Sequence, residues 1–163
     1  MPKAETTAEI EKKILDSFAG VASMLGYSSI HGKIIGILII EAESMPIQAI
    51  AKRLNYSLSS ISISVDFLDA MGVIKKFRNS SDKRVHVKLS SGLLDALKKA
   101  ILIKLEKSVE DSLADFAIEK EKLRGKSGER EKKLLRTIGI LESEVKKLKS
   151  LMEFAKNINL KNE

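Results

Sequence analysis

Residues 57–66 read SLSSISISVD, and the structure of this serine-rich stretch constrains the fold of the middle of the chain. The alternation Ser-Ile-Ser-Ile-Ser is typical of a half-buried β-strand, but it holds for only five residues and fails at both ends. In a helix, the apolar residues share one face about 80° wide. They are Leu58, Ile61, Val65 and Leu68. Because Ser57 is a good N-cap and Gly72 a good residue just past a helix end, the sequence predicts a helix over 57–71.

The same helix geometry determines which side chains point away from the core. Ile61 lies on the apolar face, whereas Ile63 lies about opposite its centre. Ser62 is at the edge of the apolar face. The residues near the outward face are Ser59, Ser60, Asp66 and Phe67. In a DNA major groove, serine hydroxyls can bond phosphates or base edges, and an aliphatic side chain can touch a thymine methyl. The alternative is a solvated surface with one stray apolar residue.

The neighbouring segments predict the remaining elements of a small domain. Upstream, residues 31–41 are apolar nearly all round and predict a buried helix, residues 45–47 an extended break, and residues 47–54 a short helix. Downstream, residues 73–90 predict two strands around a polar turn at residues 79–82. This order is that of a winged helix-turn-helix, so we expect a fold that is mainly α with a small β-hairpin.

The predicted hairpin, or wing, has the densest positive charge of the chain. Residues 73–90 contain six basic residues and one acidic residue, within a chain of net charge +7. The basic residues are Lys75, Lys76, Arg78, Lys83, Arg84 and Lys88. Such charges near phosphates give salt-dependent affinity, and an arginine at a wing tip can enter a minor groove. A lysine-rich hairpin can also serve only solubility and protection of a sheet edge.

Helices are predicted on both sides of this domain. Residues 8–25 have an apolar face of Ile10, Ile14, Phe18, Val21 and Leu25. A long helix follows residue 91 and is interrupted at residues 125–128. The last helix has an a/d heptad seam of Leu134, Ile138, Leu141, Val145, Leu148 and Met152.

These patterns predict three regions. We expect residues 1–27 to form a helix that contacts a second copy of the chain, residues 28–92 to bind DNA, and residues 93–163 to form a helical dimerisation region. An ordinary amphipathic helix packed on its own domain is the alternative for the heptad seam.

Residues 54–92 resemble the DNA-binding core of MarR-type regulators, in particular the GbsR-like branch. The matching features are the L-x-x-S turn at Leu54 and Ser57, the helix exit at Leu68, Gly72, Val73 and Ile74, the D-x-R wing at Asp82 and Arg84, and the exit Leu89-Ser90-Ser91-Gly92. The serine-rich helix and the long C-terminal heptad helix depart from the common pattern of these proteins.

The resemblance implies a homodimeric transcriptional regulator, usually a repressor, that binds a pseudo-palindromic operator. Arg84 would then be the minor-groove arginine, and Asp82 would orient it through a salt bridge. We expect His86 on the outward face of the wing, near the DNA backbone. The predicted DNA-contacting residues are Ser57, Ser59, Ser60, Ser62, Ile63, Lys75, Lys76, Arg78, Lys83, Arg84 and His86. Many such proteins are released by a small ligand. Met24, Tyr27 and Phe18 are candidate lining residues, although packing in the core is the better explanation for them.

Other classes of function find little support in the residues present. The chain has no cysteine and only two histidines, His31 and His86, which cannot form a zinc site by themselves. We therefore expect neither an enzyme nor a bound cofactor or metal. The polar N-terminus and the short apolar runs indicate a cytoplasmic protein that does not enter a membrane. The competing hypothesis is a winged-helix scaffold that binds proteins and does not touch DNA.

Overall fold

The computed structural model describes residues 5–78 and 82–158. Residues 79–81, most of the predicted polar turn, lie outside the described residues. The elements of the described chain, in order, are α1 (Thr7–Met24), α2 (Ser29–Glu41), β1 (Met45–Pro46), α3 (Ile47–Leu54), α4 (Leu58–Ala70), β2 (Ile74–Arg78), β3 (Val85–Leu89), α5 (Leu93–Leu123) and α6 (Glu129–Asn157). The chain divides into two compact units, Met1–Ala100 and Ile101–Glu163, and the division falls within α5.

Helix α2 is the centre of the first unit, as its all-apolar sequence predicts. Ile34 and Ile37 are fully buried in it. Gly32 and Gly36 lie where α1 crosses, and a Cβ atom on Gly32 would overlap the backbone carbonyl of Phe18. Glycine at this position therefore sets how closely the two helices approach.

Helix α1 forms as predicted, but it packs through a different face. Its buried residues are Leu15, Ala19 and Ala22. The predicted apolar face is largely exposed, including Ile10, Ile14 and Val21. Gly32 lies against the backbone of Phe18 and Ala19, and Gly36 lies against the side chains of Leu15 and Phe18. Helix α1 is left with a second apolar face that its own unit does not cover.

The wing belongs to a three-stranded antiparallel sheet with strand order β1-β3-β2. Met45 of β1 pairs with Val87 of β3, and β2 pairs with β3 from Ile74↔Leu89 to Arg78↔Val85. Ile74 and Val87 are buried, so the sheet is anchored in the core at its base. The predicted extended break before α3 is thus a third strand.

The first two turns of α5 are fixed to the winged domain by two hydrogen bonds. The Tyr27 hydroxyl donates to the carbonyl of Ala100 at 2.8 Å, and Lys99 Nζ donates to the carbonyl of Gly72 at 3.0 Å. These bonds attach α5 to the end of α1 and to the turn that follows α4.

In the second unit, α6 runs antiparallel to α5. Lys120 pairs with Glu142, and Lys156 pairs with Glu106 at 2.7 Å. Fourteen residues separate the two pairs on each helix, in opposite directions along the chain. Hydrogen bonds from Lys120 and Lys146 lower the pKa of Glu142 to about 2.

Some side chains of the predicted heptad seam are buried within the second unit, and others are exposed. Met152 is buried, and Ile138, Val145 and Leu148 are half-buried. Leu134 and Leu141 are exposed. Part of the seam therefore packs within the second unit, as the alternative interpretation expected for an ordinary amphipathic helix.

Candidate nucleic-acid interface

The stretch SLSSISISVD is helical, as predicted. Ser57 is the N-cap of α4, and its Oγ accepts a hydrogen bond from the backbone N–H of Ser60 at 3.1 Å. The helix ends before Gly72, whose φ of 68° is the left-handed conformation that glycine adopts most readily. Both ends of the helix are thus determined by the residues that the sequence indicated.

The faces of α4 agree with the prediction at three of the four apolar positions. Ile61, Val65 and Leu68 are buried. Leu58 is 46% exposed, so its predicted place in the core is wrong, and Ser64 is buried beside Val65 instead. The buried stripe begins one turn later than predicted because the first turn of α4 extends beyond the core.

Around Ile63, the first half of the outward face of α4 consists of small serine side chains. Ile63 is 70% exposed, Ser59 is exposed, and Ser62 is half-exposed. The hydroxyls of Ser57 and Ser60 bond each other at 2.8 Å. No hydrogen bond among the described residues occupies the hydroxyls of Ser59 and Ser62, which leaves both available to an external partner.

An acidic pair on α4 holds the base of the wing. Asp66 pairs with Lys76 of β2, and Asp69 Oδ1 accepts a hydrogen bond from the backbone N–H of Lys76 at 2.8 Å. The hydrogen bond to Asp66 raises the pKa of Lys76. Lys76 is one of the predicted DNA-contacting cations, and its charge is therefore already paired with a carboxylate.

The wing contains the salt bridge that the resemblance implied. Asp82 Oδ2 accepts from Arg84 Nε at 2.8 Å and lies 2.7 Å from Nη2, and Asp82 Oδ1 accepts from the Arg84 backbone N–H at 3.0 Å. Hydrogen bonds, first from His86 and then from Arg84, lower the pKa of Asp82 to about 2. The Arg84 side chain remains half-exposed, so its guanidinium is both oriented and accessible.

The expected outward position of His86 is wrong, because His86 is 7% exposed. Its cross-strand partner on β2 is Phe77, whose ring centroid lies 5.9 Å from that of the imidazole. Its Nε2 lies 3.1 Å from Asp82 Oδ2. Phe77 and Asp82 therefore cover the imidazole, which the strict alternation of β3 alone could not reveal.

The other wing cations lie on the surface. Lys75 and Arg78 are exposed on β2, and Lys83 is exposed between the strands with a φ of 57°. Within the described part of the chain no ion pair holds any of these three. With Arg84 and the exposed Lys88, they form the accessible positive charge of the wing.

An aromatic cluster that includes the partly exposed Phe67 of α4 was not predicted. Phe67 stacks on His31 of α2, with ring centroids 4.7 Å apart and planes 15° from parallel, and Tyr27 lies 6.1 Å from Phe67. Burial lowers the pKa of His31. No local pattern pairs residues 31 and 67, so the contact arises only from how α2 and α4 cross.

Beside this cluster the first unit contains an apolar cavity of about 150 Å³. Phe18, Tyr27, His31, Leu68 and Met71 are among its lining residues. Phe18 and Tyr27 were candidates to line a ligand site, whereas the third candidate, Met24, is exposed and does not line the cavity. The buried Nδ1 of His31 has no hydrogen-bond partner among the described residues.

Metal-binding clusters and membrane-spanning helices are not found in the described ranges. No group of three or more His, Asp or Glu side chains there could hold a metal ion. None of the helices described has the length and apolar character needed to cross a membrane.

No family model and no curated protein sequence matches the chain. Solved structures of other proteins do align with the chain. A transcriptional regulator aligns over 90% of this chain and 95% of its own, with a TM-score of 0.66 and 14% identity. MarR from E. coli aligns over 60% of this chain and 75% of its own (TM-score 0.44, 18% identity). The regulator BldR from Sulfolobus solfataricus aligns over 84% and 89% (TM-score 0.41, 22% identity). The chain thus has a winged helix-turn-helix fold, mainly α with a small antiparallel sheet, and shares its fold with the first of these regulators.

Proposed function

We propose that the protein is a sequence-specific regulator of transcription that binds double-stranded DNA as a homodimer and acts as a repressor. Helix α4 enters the major groove, and the wing contacts the backbone and the minor groove. The observation that carries the proposal is the exposure of Ile63 among small hydroxyls on a helix beside a wing of net charge +5. The motifs quoted above favour the GbsR-like branch of MarR-type regulators.

The outward face of α4 fits a groove. A helix of 13 residues is about 20 Å long, and the major groove of B-DNA is about 12 Å wide. Because the serine side chains beside Ile63 are small, the first two turns of the helix backbone can come close to the base edges. The hydroxyls of Ser59 and Ser62 then bond phosphates or bases, and Ile63 touches a thymine methyl.

The wing supplies the charge that this face lacks. Lys75, Arg78 and Lys83 are exposed and suit phosphates, whose neutralisation releases counterions. Arg84, oriented by Asp82, suits a narrow minor groove, where the negative potential is strongest. Lys76 contributes less, because its charge is already paired with Asp66.

Uncovered apolar faces support the homodimer. Exposed apolar residues of α6 are Leu134, Ile140, Leu141, Leu151 and Phe154, and those of α1 are Ile10, Ile14, Val21 and Met24. Apolar faces of this kind mark interaction surfaces, and a second copy of the chain is the commonest partner. Leu141→Glu should shift sedimentation equilibrium from dimer to monomer, whereas Ser143→Glu, an exposed change on the same helix, should not.

The apolar cavity supports regulation by a small effector. Its lining offers an apolar ligand aromatic contact from Phe18 and Tyr27, and His31 Nδ1 is a polar atom with no hydrogen-bond partner among the described residues. Filling the cavity by Ala100→Phe should abolish binding of an uncharged aromatic probe without preventing DNA binding. Retained probe binding would place the effector site elsewhere.

Selection of DNA from a random pool, followed by titration of the selected duplex at two salt concentrations, tests the proposal. We expect an enriched inverted repeat, an affinity that falls with salt, and loss of affinity in Arg84→Ala. Arg124→Ala, which removes an arginine paired with Glu121 on α5, is the matched control. No enrichment and no salt-sensitive binding would favour the scaffold that does not touch DNA.

A further inference from the structure

A partly buried hydrogen bond links the carboxylate that holds the wing arginine to the body of the sheet. Asp82 and Arg84 are two residues apart, so their salt bridge is local and cannot by itself fix their direction relative to the domain. His86 Nε2 contacts the same oxygen, Asp82 Oδ2, at 3.1 Å. His86 is also paired with Phe77 of β2 on one side and with Pro46 of β1 on the other.

We propose that His86 is a positioning residue of the DNA interface: its Nε2–H holds the Asp82 carboxylate, which in turn holds the Arg84 guanidinium toward the minor groove. The inference rests on the proposed function only for the last step, the contact of Arg84 with DNA. It replaces the expected contact of His86 itself with the DNA backbone.

The chemistry of the pair determines the tautomer of His86. An ionised carboxylate only accepts hydrogen bonds, so the imidazole nitrogen that faces it must be the one that carries hydrogen. The pKa of Asp82, held at about 2 with the bond from His86 as its largest cause, keeps this carboxylate ionised at neutral pH. Neutral His86 is therefore protonated on Nε2, and its Nδ1 is bare.

Packing alone does not account for a histidine at this position. The Nδ1 atom of His86 is buried without a hydrogen-bond partner among the described residues. Burial of an unpaired polar atom costs free energy that an apolar side chain of similar size would avoid. The hydrogen bond from the opposite nitrogen, Nε2, to Asp82 is what offsets this cost.

The charged groups around the imidazole belong to the wing. Asp82 and Arg84 approach it from the loop and the start of β3, and Lys88 Nζ lies 5.8 Å from the centroid of the Phe77 ring on β2. The carboxylate of Asp82 is the anion within hydrogen-bond distance of the ring. The hydrogen bond from His86 therefore joins the paired side chains of Asp82 and Arg84 to the sheet.

The first test needs neither DNA nor a substitution. Nitrogen-15 NMR of the whole protein at neutral pH reports the tautomer of His86, and we expect Nε2–H with a bare Nδ1. An Nδ1–H tautomer would overturn the inference, because Nε2 could then not donate to Asp82. The same spectra should show a slowly exchanging Arg84 Nε–H signal that is lost in His86→Phe and restored in His86→Gln, whose amide can donate from nearly the same place.

The second test asks through which residue His86 acts on DNA. His86→Phe should weaken binding of the selected duplex about tenfold, the size of one charge-assisted hydrogen bond, and His86→Gln should recover most of it. In an Arg84→Ala background, His86→Phe should change the affinity less than about twofold, since the residue to be positioned is gone. An equal loss in both backgrounds would show that His86 acts by another route. If the wild-type protein binds no DNA, the proposed function fails, while the tautomer and the Arg84 signal still decide the inference.

Discussion

Ile61 and Ile63 lie on opposite faces of α4, the first fully buried and the second 70% exposed. Removing the buried side chain leaves a cavity, so Ile61→Ala should cost about 2–5 kcal/mol in the free energy of unfolding. Ile63→Ala should change stability by less than about 0.5 kcal/mol and alter which bases are selected. Urea unfolding and repeated DNA selection measure the two effects. A large stability loss in Ile63→Ala would show that this residue supports the fold.

Ser57 and Ser59 have different roles in α4: Ser57 caps the helix, and Ser59 is available to DNA. Ser57→Ala removes the side-chain acceptor of the Ser60 N–H and should lower the free energy of unfolding by about 1 kcal/mol. Ser59→Ala removes an exposed hydroxyl without an internal partner, so it should leave stability unchanged and weaken DNA binding. Equal stability in both variants, measured by urea unfolding, would contradict the capping role of Ser57.

Gly32 and Gly20 test the close contact of α1 with α2. A methyl group on Gly32 would overlap the Phe18 backbone, so Gly32→Ala should destabilise the protein by about 1–3 kcal/mol or more. Gly20 lies on the exposed side of α1 with open space around it, and Gly20→Ala should stabilise by about 0.5–1 kcal/mol. Thermal unfolding of both variants measures the difference. A neutral Gly32→Ala would show that the two helices can move apart freely.

Because Asp66 pairs with Lys76, we expect that removing the charge of Asp66 increases the affinity for DNA. Asp66→Asn releases Lys76 and removes a negative charge from the face of α4, so binding to any duplex should tighten. If Lys76 then reaches a phosphate, the slope of log affinity against log salt should steepen by about 0.9. Asp111→Asn, which breaks a similar surface pair with Lys107 on α5, is the matched control. Weaker binding in Asp66→Asn would show that Asp66 itself contacts the DNA.

Local patterns predicted the elements of the winged domain because each has a local cause. The cap at Ser57 and the left-handed Gly72 depend on near neighbours, and the structure has both. The predicted alternation in β3 fails at His86, which is buried. The faces of α1 could not be predicted in this way. A helix with two apolar sides does not reveal in its sequence which side meets α2, and the deciding contact, Gly32 against Phe18, depends on how the two helices cross.

The site was predicted incompletely for the same reason. Nothing in the sequence near Lys76 shows that Asp66 holds it, and nothing near His86 shows that Phe77 and Asp82 cover it. Both contacts follow from the register of β2 with β3 and from the packing of α4 on the sheet. Exposed residues, such as Ile63, were easier to place, because helix geometry alone puts them opposite a buried face.

The burial of His31 predicts a loss of stability in mild acid. Its pKa is lowered by burial, between Tyr27 and Phe67, so the unfolded chain binds a proton at this residue more readily than the folded chain does. The contribution of neutral His31 is complete above its ordinary pKa of about 6.5 and declines as the pH falls through that value toward the lower folded value. His31→Phe, which keeps a ring against Phe67, should flatten the dependence of unfolding free energy on pH between about 7 and 5. His86 is unchanged between the two proteins, so the difference between the two curves isolates the effect of His31. Identical curves for the two proteins would show that His31 is protonated as readily in the folded chain as in the unfolded one.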